Sequence, residues 1–380
     1  MGERLQPALP KAMYVDADHF AVEREQVLLE SWLAVGRVDE LGLDAPGHLA
    51  VVDVLGESVL VTSDAEKVLH AAYNVCRHRG SQVVPIHPDG PPPAPAAARS
   101  LRCPYHSWTY GLDGRLLKSP HTEGVVDFDP ADFSLAPVAV GTWGGFCFVH
   151  PSPASAKPLA EAVVGVAERL ARYPLESLVG ARRFTYDVAA NWKVVAENYN
   201  ECYHCGPVHP ELTRLVPSFA GGGADLDWES GVPHRDGAWT FTTTGTTSRR
   251  PFPDLDDAER TRHKGELVYP NLFVSCSADH VAAFRLEPLA ADRTRIVCDL
   301  LFAPDEVAAA GFDPADAADL WDLVNRQDWA VCESVQRGMS SRAYTQGWFA
   351  PMEDWSLDIR RWLLPRLGIE QPGESGPSHG

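Results

Sequence analysis

The sequence predicts an α+β protein with an all-β module followed by a domain that mixes strands with helices. At 380 residues it suits two domains. Short β-branched or aromatic runs between turn signals fill the first part, whereas helical patterns appear among the strands after a linker at 151–158. We expect an all-β domain at 34–153, a second domain formed by 1–33 and 154–370 around a central antiparallel sheet, and a disordered tail at 371–380.

Local patterns give the individual elements. Apolar positions spaced among charged ones predict helices, and Gly, Pro and Asp signals bound the predicted strands. The predicted helices cover 14–33, 159–173, 191–205, 313–338 and 354–365. The predicted strands of the second domain are FTYDVAA, AWTFTTTG, ELVYPNLFVSCS, HVAAFRLEPL and RTRIVCDLLFA.

Composition indicates a soluble, cytoplasmic protein. Hydrophobic residues make up 45% and charged residues 22%, and the formal charge of −19 argues against nucleic acid as a partner. The eight cysteines are too scattered for a disulfide framework, which favours a reducing compartment. The start of the chain lacks a secretory pattern, and the most apolar stretch, 135–149, is broken and too short to span a bilayer.

The first candidate site pairs Cys76-x-His78 with Cys103-x-x-His106. Two thiolates and two imidazoles could hold a tetrahedral zinc ion. The same set could hold an iron–sulfur cluster in which two cysteines bind one iron and two histidines the other. Four unrelated residues at this spacing are improbable.

The second candidate site is the segment NWKVVAENYNECYHCGPVHPEL at 191–212, which contains His204 and His209. We expect Gly206 and Pro207 to end a helix there, so that the chain turns and both imidazoles reach one metal. Two neutral histidines and one carboxylate form the facial triad of non-haem Fe(II) oxygenases.

Two acids and two cysteines accompany these histidines. A continuous helix would place Glu197, Glu201 and Cys205 one turn apart on one face. Cys202 and Cys205 suggest a Cys/His zinc site as an alternative, but without a second pair nearby the signal is weak. We expect both cysteines to be packing residues.

The loops NVCRHRGS and CPYHSWTYGLDG resemble the cluster-binding loops of the Rieske family. The resemblance implies that Cys76, His78, Cys103 and His106 hold a 2Fe-2S cluster, with Ser107 where a glycine is frequent. No further cysteine pair adjoins these loops to form the disulfide of respiratory-chain Rieske proteins. This favours the oxygenase branch of the family.

The segment 191–212 is similar to the iron-binding motif of Rieske oxygenase catalytic domains, which have a helix-grip (START-like) fold. The resemblance implies a mononuclear Fe(II) bound by His204, His209 and a carboxylate far along the chain. Asp328 matches the family position of that third ligand, and Asp322 and Glu333 are its competitors.

The same resemblance gives roles to two other residues. Glu201 corresponds to the acid through which the cluster of one subunit passes electrons to the iron of its neighbour. Most of the family has aspartate there, whereas glutamate is typical of the branch that acts on quaternary amines. Asn191, a candidate catalytic residue, fits a position that lines or supports the site, with helix capping and core packing as the alternative.

These observations together predict the terminal oxygenase of a Rieske system. No GxGxxG loop is present to bind a nucleotide, so NAD(P)H electrons would arrive through a reductase, with or without a ferredoxin. The family implies a homotrimer that activates O2 and hydroxylates or demethylates a small quaternary or methylated amine. An aromatic cage of Tyr203, Trp239, Phe284 and Trp348 would suit such a cation. Aromatic ring hydroxylation, a Rieske electron carrier and a structural zinc protein are the alternatives.

Overall fold

The fold divides into two compact units. The computed structural model describes residues 4–87, 90, 93–223 and 226–371. One unit, the β unit, is Leu28–Val164, and the other, the α+β unit, combines the preceding residues with those from Gly165 onward. The predicted tail lies outside the described residues apart from Gln371.

Eighteen strands occur within the described residues. In chain order they are β1 (Gln6–Pro10), β2 (Leu33–Arg37), β3 (His48–Val54), β4 (Glu57–Ser63), β5 (Leu69–Tyr73), β6 (Ala96–Ala97), β7 (Leu101–Arg102), β8 (Thr109–Tyr110), β9 (Leu116–Lys118), β10 (Pro137–Trp143), β11 (Phe146–His150), β12 (Val179–Val188), β13 (Val232–Pro233), β14 (Arg262–Val268), β15 (Leu272–Cys276), β16 (His280–Ala290), β17 (Arg293–Phe302) and β18 (Gln346–Phe349).

Nine α-helices occur in the same part of the chain. They are α1 (Ala12–Val15), α2 (Ala17–Glu23), α3 (Leu159–Arg169), α4 (Trp192–Tyr199), α5 (Cys205–Val208), α6 (Pro210–Leu215), α7 (Pro304–Val307), α8 (Ala315–Ser340) and α9 (Leu357–Arg366). A π-helix follows α2 at Arg24–Leu28, and 3-10 turns lie at Pro130–Phe133, Leu175–Ser177, Pro217–Gly221, Glu259–Thr261 and Pro351–Ser356.

The β unit is built from a seven-stranded sheet in the order β2-β11-β10-β5-β4-β3-β6 and a three-stranded sheet β7-β8-β9. All pairings are antiparallel, so short hairpins connect many neighbours. One of its hydrophobic clusters contains Cys76, Cys103, Trp108 and Tyr110, all buried. The segments that carry the predicted cluster ligands are therefore anchored in the core of this unit.

The α+β unit contains a six-stranded antiparallel sheet in the order β12-β17-β16-β15-β14-β13. Helix α8, 26 residues long, packs against α4 and β12. This arrangement confirms the predicted α+β class with an antiparallel sheet. None of the helices in the described ranges is long and apolar enough to cross a membrane.

The unit boundaries differ from those expected at 34 and 153. Leu33, in β2, belongs to the core of the β unit, and Leu159, at the start of α3, lies against Gly141 of β10. A Cβ on Gly141 would lie 3.0 Å from a Leu159 methyl carbon. Both ends of the unit are therefore set by packing rather than by the linker composition at 151–158.

The N-terminal helix predicted over 14–33 is wrong in its extent. Asp16 interrupts it, because its carboxylate accepts hydrogen bonds from the backbone N–H groups of Asp18 and His19 and starts α2. The helical region ends at Leu28, and Leu33 already begins β2.

The strand predicted from AWTFTTTG is also wrong. The segment forms a compact loop in which the backbone N–H of Trp239 donates to the Gly245 carbonyl at 2.8 Å. Gly245 has a φ of +82°, and a Cβ there would lie 2.5 Å from the Ala238 Cβ. Threonines with high strand propensity are thus held in a turn by side-chain and backbone hydrogen bonds.

Candidate active site

The predicted cluster ligands lie on two adjacent loops of the β unit, one after β5 and the other between β7 and β8. Cys76 and Cys103 are buried, whereas His78 and His106 are exposed. The centroids of the two imidazole rings lie 4.6 Å apart. Paired thiols in the core and paired imidazoles at the surface fit a cluster with one cysteine-bound iron and one histidine-bound iron.

Neighbouring side chains fix this arrangement. Trp108 stacks on His78 with ring centroids 5.0 Å apart. The Tyr110 hydroxyl accepts from the backbone N–H of Arg77 at 3.1 Å and lies 3.2 Å from Cys76 Sγ. Because the hydroxyl oxygen is already an acceptor, its proton is free to point at the sulfur.

Ser107 occupies a turn that most residues avoid. Its φ is +62°, in the left-handed region that glycine adopts without steric cost. The turn is closed by a hydrogen bond from the Ser107 backbone N–H to the Cys103 carbonyl at 3.1 Å. The serine therefore preserves the backbone conformation for which a glycine is usual in the family.

The second site begins at helix α4, which is shorter than predicted. Asn191 caps it by accepting from the Lys193 backbone N–H at 3.0 Å, and the helix ends at Tyr199. The Glu201 carboxylate accepts from the backbone N–H groups of Tyr203 and His204, which holds a turn instead of a helix. The expected helix over 191–205 therefore breaks before His204, not after Cys205.

His204, His209 and Asp328 meet at one point of the α+β unit. Asp328 Oδ1 lies 3.2 Å from His204 Nε2 and 2.8 Å from His209 Nε2. His204 Nδ1 lies 2.5 Å from Glu201 Oε1, and His209 Nδ1 lies 2.7 Å from Gln327 Oε1. An acceptor at each Nδ1 fixes the proton there and leaves the Nε2 lone pairs for a metal.

This donor set fits a mononuclear iron. Two imidazoles and one carboxylate leave coordination positions open, which is typical of non-haem Fe(II) oxygenases. Burial opposes the protonation of His204, but its hydrogen bonds to Asp328 and Glu201 raise its pKa to about 10. The two carboxylates thus stabilise positive charge at this point, and a bound metal ion would take the place of the Nε2 proton of His204.

The competitors of Asp328 have other partners. Asp322 accepts from the Tyr186 hydroxyl at 2.7 Å and from Arg326 Nε at 2.8 Å. Glu333 accepts from the backbone N–H of Ala189 at 3.2 Å. Of the three acids, Asp328 is the one that contacts the two histidines.

Of the two roles considered for Asn191, its contacts fit helix capping and not the lining of the catalytic site. It is fully buried, and its amide Nδ2 donates to the carbonyls of Tyr14 and Ala291 at 3.2 and 2.7 Å. It does not belong to the lining of the cavity beside His204 and His209. Its contacts are those of a helix cap that ties α4 to the rest of the unit.

The structure joins Cys202 and Cys205 in a disulfide, which corrects their prediction as packing residues. Cys205 Sγ lies within 4.8 Å of ring nitrogens of His204 and His209, so the residue could be counted as a ligand by position alone. The disulfide removes the thiolate that metal binding requires. The other six cysteines are free and buried.

A cavity opens beside the three candidate iron ligands. Its lining includes a group of rings that we call the aromatic wall: Phe241, His263, Phe284 and Trp321. The ring centroids of Phe241 and Trp321 lie 4.3 Å apart, and those of Phe284 and Trp321 lie 5.7 Å apart. Trp321 stands seven residues before Asp328 on α8, so both face the cavity from one side of that helix.

The aromatic wall replaces most of the cage predicted from sequence. Phe284 lines the cavity as expected, whereas Tyr203, Trp239 and Trp348 do not belong to its lining. Tyr203 and Trp348 are more than half exposed, and Trp239 lies in the loop that was predicted as a strand. The sequence signal that could have found Trp321 is its heptad spacing from Asp328.

Neither His263 nor Arg169 places an unbalanced positive charge in the cavity. Burial, together with His234 and His280, lowers the pKa of His263 to about 3, so this ring is neutral at pH 7. Arg169, which also lines the cavity, donates to both carboxylate oxygens of Glu266 at 2.6 and 2.7 Å. Its positive charge is thereby balanced within the protein.

Comparison with known proteins agrees with this geometry. The chain matches the Rieske [2Fe-2S] domain over residues 31–129 and the ring hydroxylating alpha subunit (catalytic domain) over residues 175–368. The protein is therefore a Rieske non-haem iron oxygenase, and it belongs to the family of ring-hydroxylating alpha subunits. It uses a 2Fe-2S cluster and a mononuclear iron, with O2 as co-substrate and electrons from a reductase.

Individual proteins with named activities are also similar to this chain. It is 31% identical to the glycine betaine monooxygenase oxygenase subunit of Pseudomonas aeruginosa strain UCBPP-PA14, over 95% of this chain and 89% of that protein. It is also 31% identical to the carnitine monooxygenase oxygenase subunit of Acinetobacter baumannii, over 88% of this chain and 86% of that one. The quaternary ammonium Rieske monooxygenase CntA with gamma-butyrobetaine superposes with a TM-score of 0.71 at 26% identity, covering 94% of this chain and 96% of that chain.

Proposed function

We propose that this oxygenase removes a methyl group from a small quaternary or otherwise methylated ammonium compound. The observation that carries the proposal is the aromatic wall, which lies in the same cavity as His204, His209 and Asp328. Aromatic faces attract methylated cations, and Trp does so most strongly. The neutral His263 adds no charge that would repel such a substrate.

The metal-binding residues follow from the two donor sets. Cys76, His78, Cys103 and His106 would hold the cluster, which supplies electrons one at a time. His204, His209 and Asp328 would hold the iron, which activates O2 when bound. Glu201 and Gln327 keep the Nδ1 protons of the two histidines in place and so orient both rings.

The proposed reaction is a monooxygenation. One oxygen atom of O2 enters a methyl C–H bond, and the other leaves as water with two electrons from NAD(P)H and two protons. The resulting N-hydroxymethyl ammonium group breaks its C–N bond to give formaldehyde, the demethylated amine and a proton. Formaldehyde is thus the product that distinguishes demethylation from ring hydroxylation.

The assembly proposed for this activity is a cytoplasmic, head-to-tail homotrimer supplied by an NAD(P)H-dependent reductase, with or without a ferredoxin. In this arrangement Glu201, which touches His204, would pass electrons from the cluster of a neighbouring subunit. A ring of this kind is a closed heterologous assembly. Light scattering of the purified protein would show three chains per particle, and a monomer that is fully active would contradict it.

The test of the substrate is reductase-dependent O2 uptake by the metal-loaded protein. Betaines, choline, carnitine and simple methylated amines form one panel, and aromatic acids form the other. We expect formaldehyde in stoichiometric amounts with at least one methylated amine. If O2 uptake follows only the aromatic panel, ring hydroxylation replaces demethylation as the function.

A further inference from the structure

The indole of Trp321, part of the aromatic wall, is hydrogen-bonded to a buried histidine that lies outside the cavity lining. The indole Nε1–H donates to His280 Nε2 at 3.0 Å. His280 is the first residue of β16 and is completely buried, and it does not line the cavity. The strand that carries it also carries Phe284, four residues later, on the same face.

The hydrogen bonds around His280 define its protonation. An indole N–H can only donate, so His280 Nε2 must be an acceptor and the ring proton lies on Nδ1. That proton is donated to Asp279 Oδ1 at 2.9 Å. Asp279 also accepts from Thr240 Oγ1, and its other oxygen accepts from Arg249 Nε at 2.7 Å.

Arg249 extends this array of hydrogen bonds around His280 and Asp279 to the start of helix α8. Its Nη1 donates to Asp316 Oδ1 at 2.7 Å and to the Asp313 carbonyl at 3.2 Å. Asp316 lies in the first turn of α8, the helix that carries Trp321 and Asp328. Arg249, Asp279 and His280 therefore form a hydrogen-bonded chain that contacts α8 twice. Arg249 contacts the first turn of the helix, and His280 contacts the indole of Trp321.

We propose that Arg249, Asp279 and His280 act as positioning residues that fix the indole of Trp321 as a substrate-binding surface of the cavity. The substrate class in this inference rests on the proposed function. The indole N–H is used inside the protein, so Trp321 presents no hydrogen-bond donor to the cavity. A ring of fixed orientation without a donor suits the methylated ammonium group of a substrate, because that group accepts no hydrogen bond.

The energetics favour a positioning role over simple packing. Burying an ionic array costs desolvation, and apolar residues of similar volume would often stabilise the fold equally well or better. Directional hydrogen bonds, however, specify one orientation of the indole, which apolar contacts alone do not. The array thus fixes geometry at the place where the cavity wall and an iron ligand share one helix.

A matched pair of substitutions at His280 tests this link. The amide of His280→Asn lies near the former Nδ1, so it can still bind Asp279 but cannot reach the indole. The longer His280→Gln places an amide oxygen near the former Nε2, where it can accept from Trp321. We expect His280→Asn to raise the KM for the substrate about tenfold with kcat little changed, and His280→Gln to stay within about threefold of the parent protein.

The decisive comparison repeats His280→Asn in a Trp321→Phe protein, which has no indole N–H to hold. If His280 acts through Trp321, His280→Asn raises the KM of the Trp321→Phe protein by less than about twofold. Should His280→Asn not fold, Arg249→Lys keeps the charge but loses the guanidinium geometry, and the same loss of effect is expected in the Trp321→Phe background. Visible absorption of the cluster and iron content confirm that each variant is intact.

Two outcomes overturn the inference: an unchanged KM in His280→Asn, or an equal rise with and without the indole. The cycle is run with whichever substrate supports O2 uptake, so the two proposals fail separately. Coupling measured with an aromatic substrate would keep the positioning role and reject the amine. Activity on a methylated amine without coupling would keep the amine as substrate and reject the positioning role.

Discussion

The two candidate metal sites of this protein are assembled in different ways. In the β unit, all four cluster ligands come from two short loops, and the turns at Gly80 and Ser107 are closed by backbone hydrogen bonds to the cysteines Cys76 and Cys103. In the α+β unit, the iron site joins His204 and His209 to Asp328, more than a hundred residues away. The first site depends on local turns, whereas the second depends on how α8 packs against α4.

The largest effect should come from removing the distant ligand. Asp328→Asn keeps the shape of the side chain but loses the charge that binds the metal. We therefore expect loss of the mononuclear iron and a loss of activity on the order of a hundredfold or more. The cluster should remain, because it belongs to the other unit. Iron analysis with EPR measures both metals in one sample.

Asp322→Asn is the matched control, since Asp322 lies on the same helix but pairs with Tyr186 and Arg326. It should retain both metals. Equal iron loss in the two variants would mean that α8 as a whole, and not Asp328, determines binding.

The next effect concerns transfer between the sites. Glu201→Ala should retain both metals but uncouple them, because Glu201 contacts His204 Nδ1 and belongs to the proposed electron path. We expect substrate-dependent oxidation of the reduced cluster to slow by more than about tenfold in stopped-flow measurements. Oxidation at the normal rate would reject this role, and Glu333→Ala, whose carboxylate contacts the Ala189 backbone and not the histidines, is a suitable control.

A smaller effect should be confined to the β unit. Tyr110→Phe removes the hydroxyl that lies 3.2 Å from Cys76 Sγ. Since hydrogen bonds to the sulfurs raise the potential of such clusters, we expect the midpoint potential to fall while the iron site keeps its metal. A redox titration followed by visible spectroscopy gives the shift, and the exposed Tyr105→Phe should give none.

The smallest effect should be a change in the pH dependence of stability. Burial raises the pKa of Glu197 on α4 to about 8, even though Tyr14 donates a hydrogen bond to its carboxylate. The folded protein therefore binds a proton that the unfolded chain releases above pH 4.5, and this contribution to stability declines as pH rises through about 8.

Glu197→Gln removes this titration, so its Tm should fall less than that of the parent protein between pH 5 and about 8.5. Differential scanning calorimetry across this range makes the comparison. The exposed Glu25→Gln should follow the parent curve. If Glu197→Gln also does so, Glu197 does not titrate in this range.

The sequence could predict the local features because short-range rules govern them. The fold class, the cluster loops and the pair of histidines each depend on residues that are close in the chain. The N-terminal helix and the strand around Trp239 were mispredicted because side-chain hydrogen bonds at Asp16 and Thr242 outweigh propensity.

By itself, then, the sequence determined the family, the α+β class and the candidate ligands that lie within short motifs. Only the tertiary structure decided which of Asp328, Asp322 and Glu333 meets the histidines, and which aromatic rings line the cavity. It also paired Cys202 with Cys205 and placed His280 behind Trp321. The physical reason is that these features require contacts between segments far apart in the chain, and periodicity within one segment does not specify its partners.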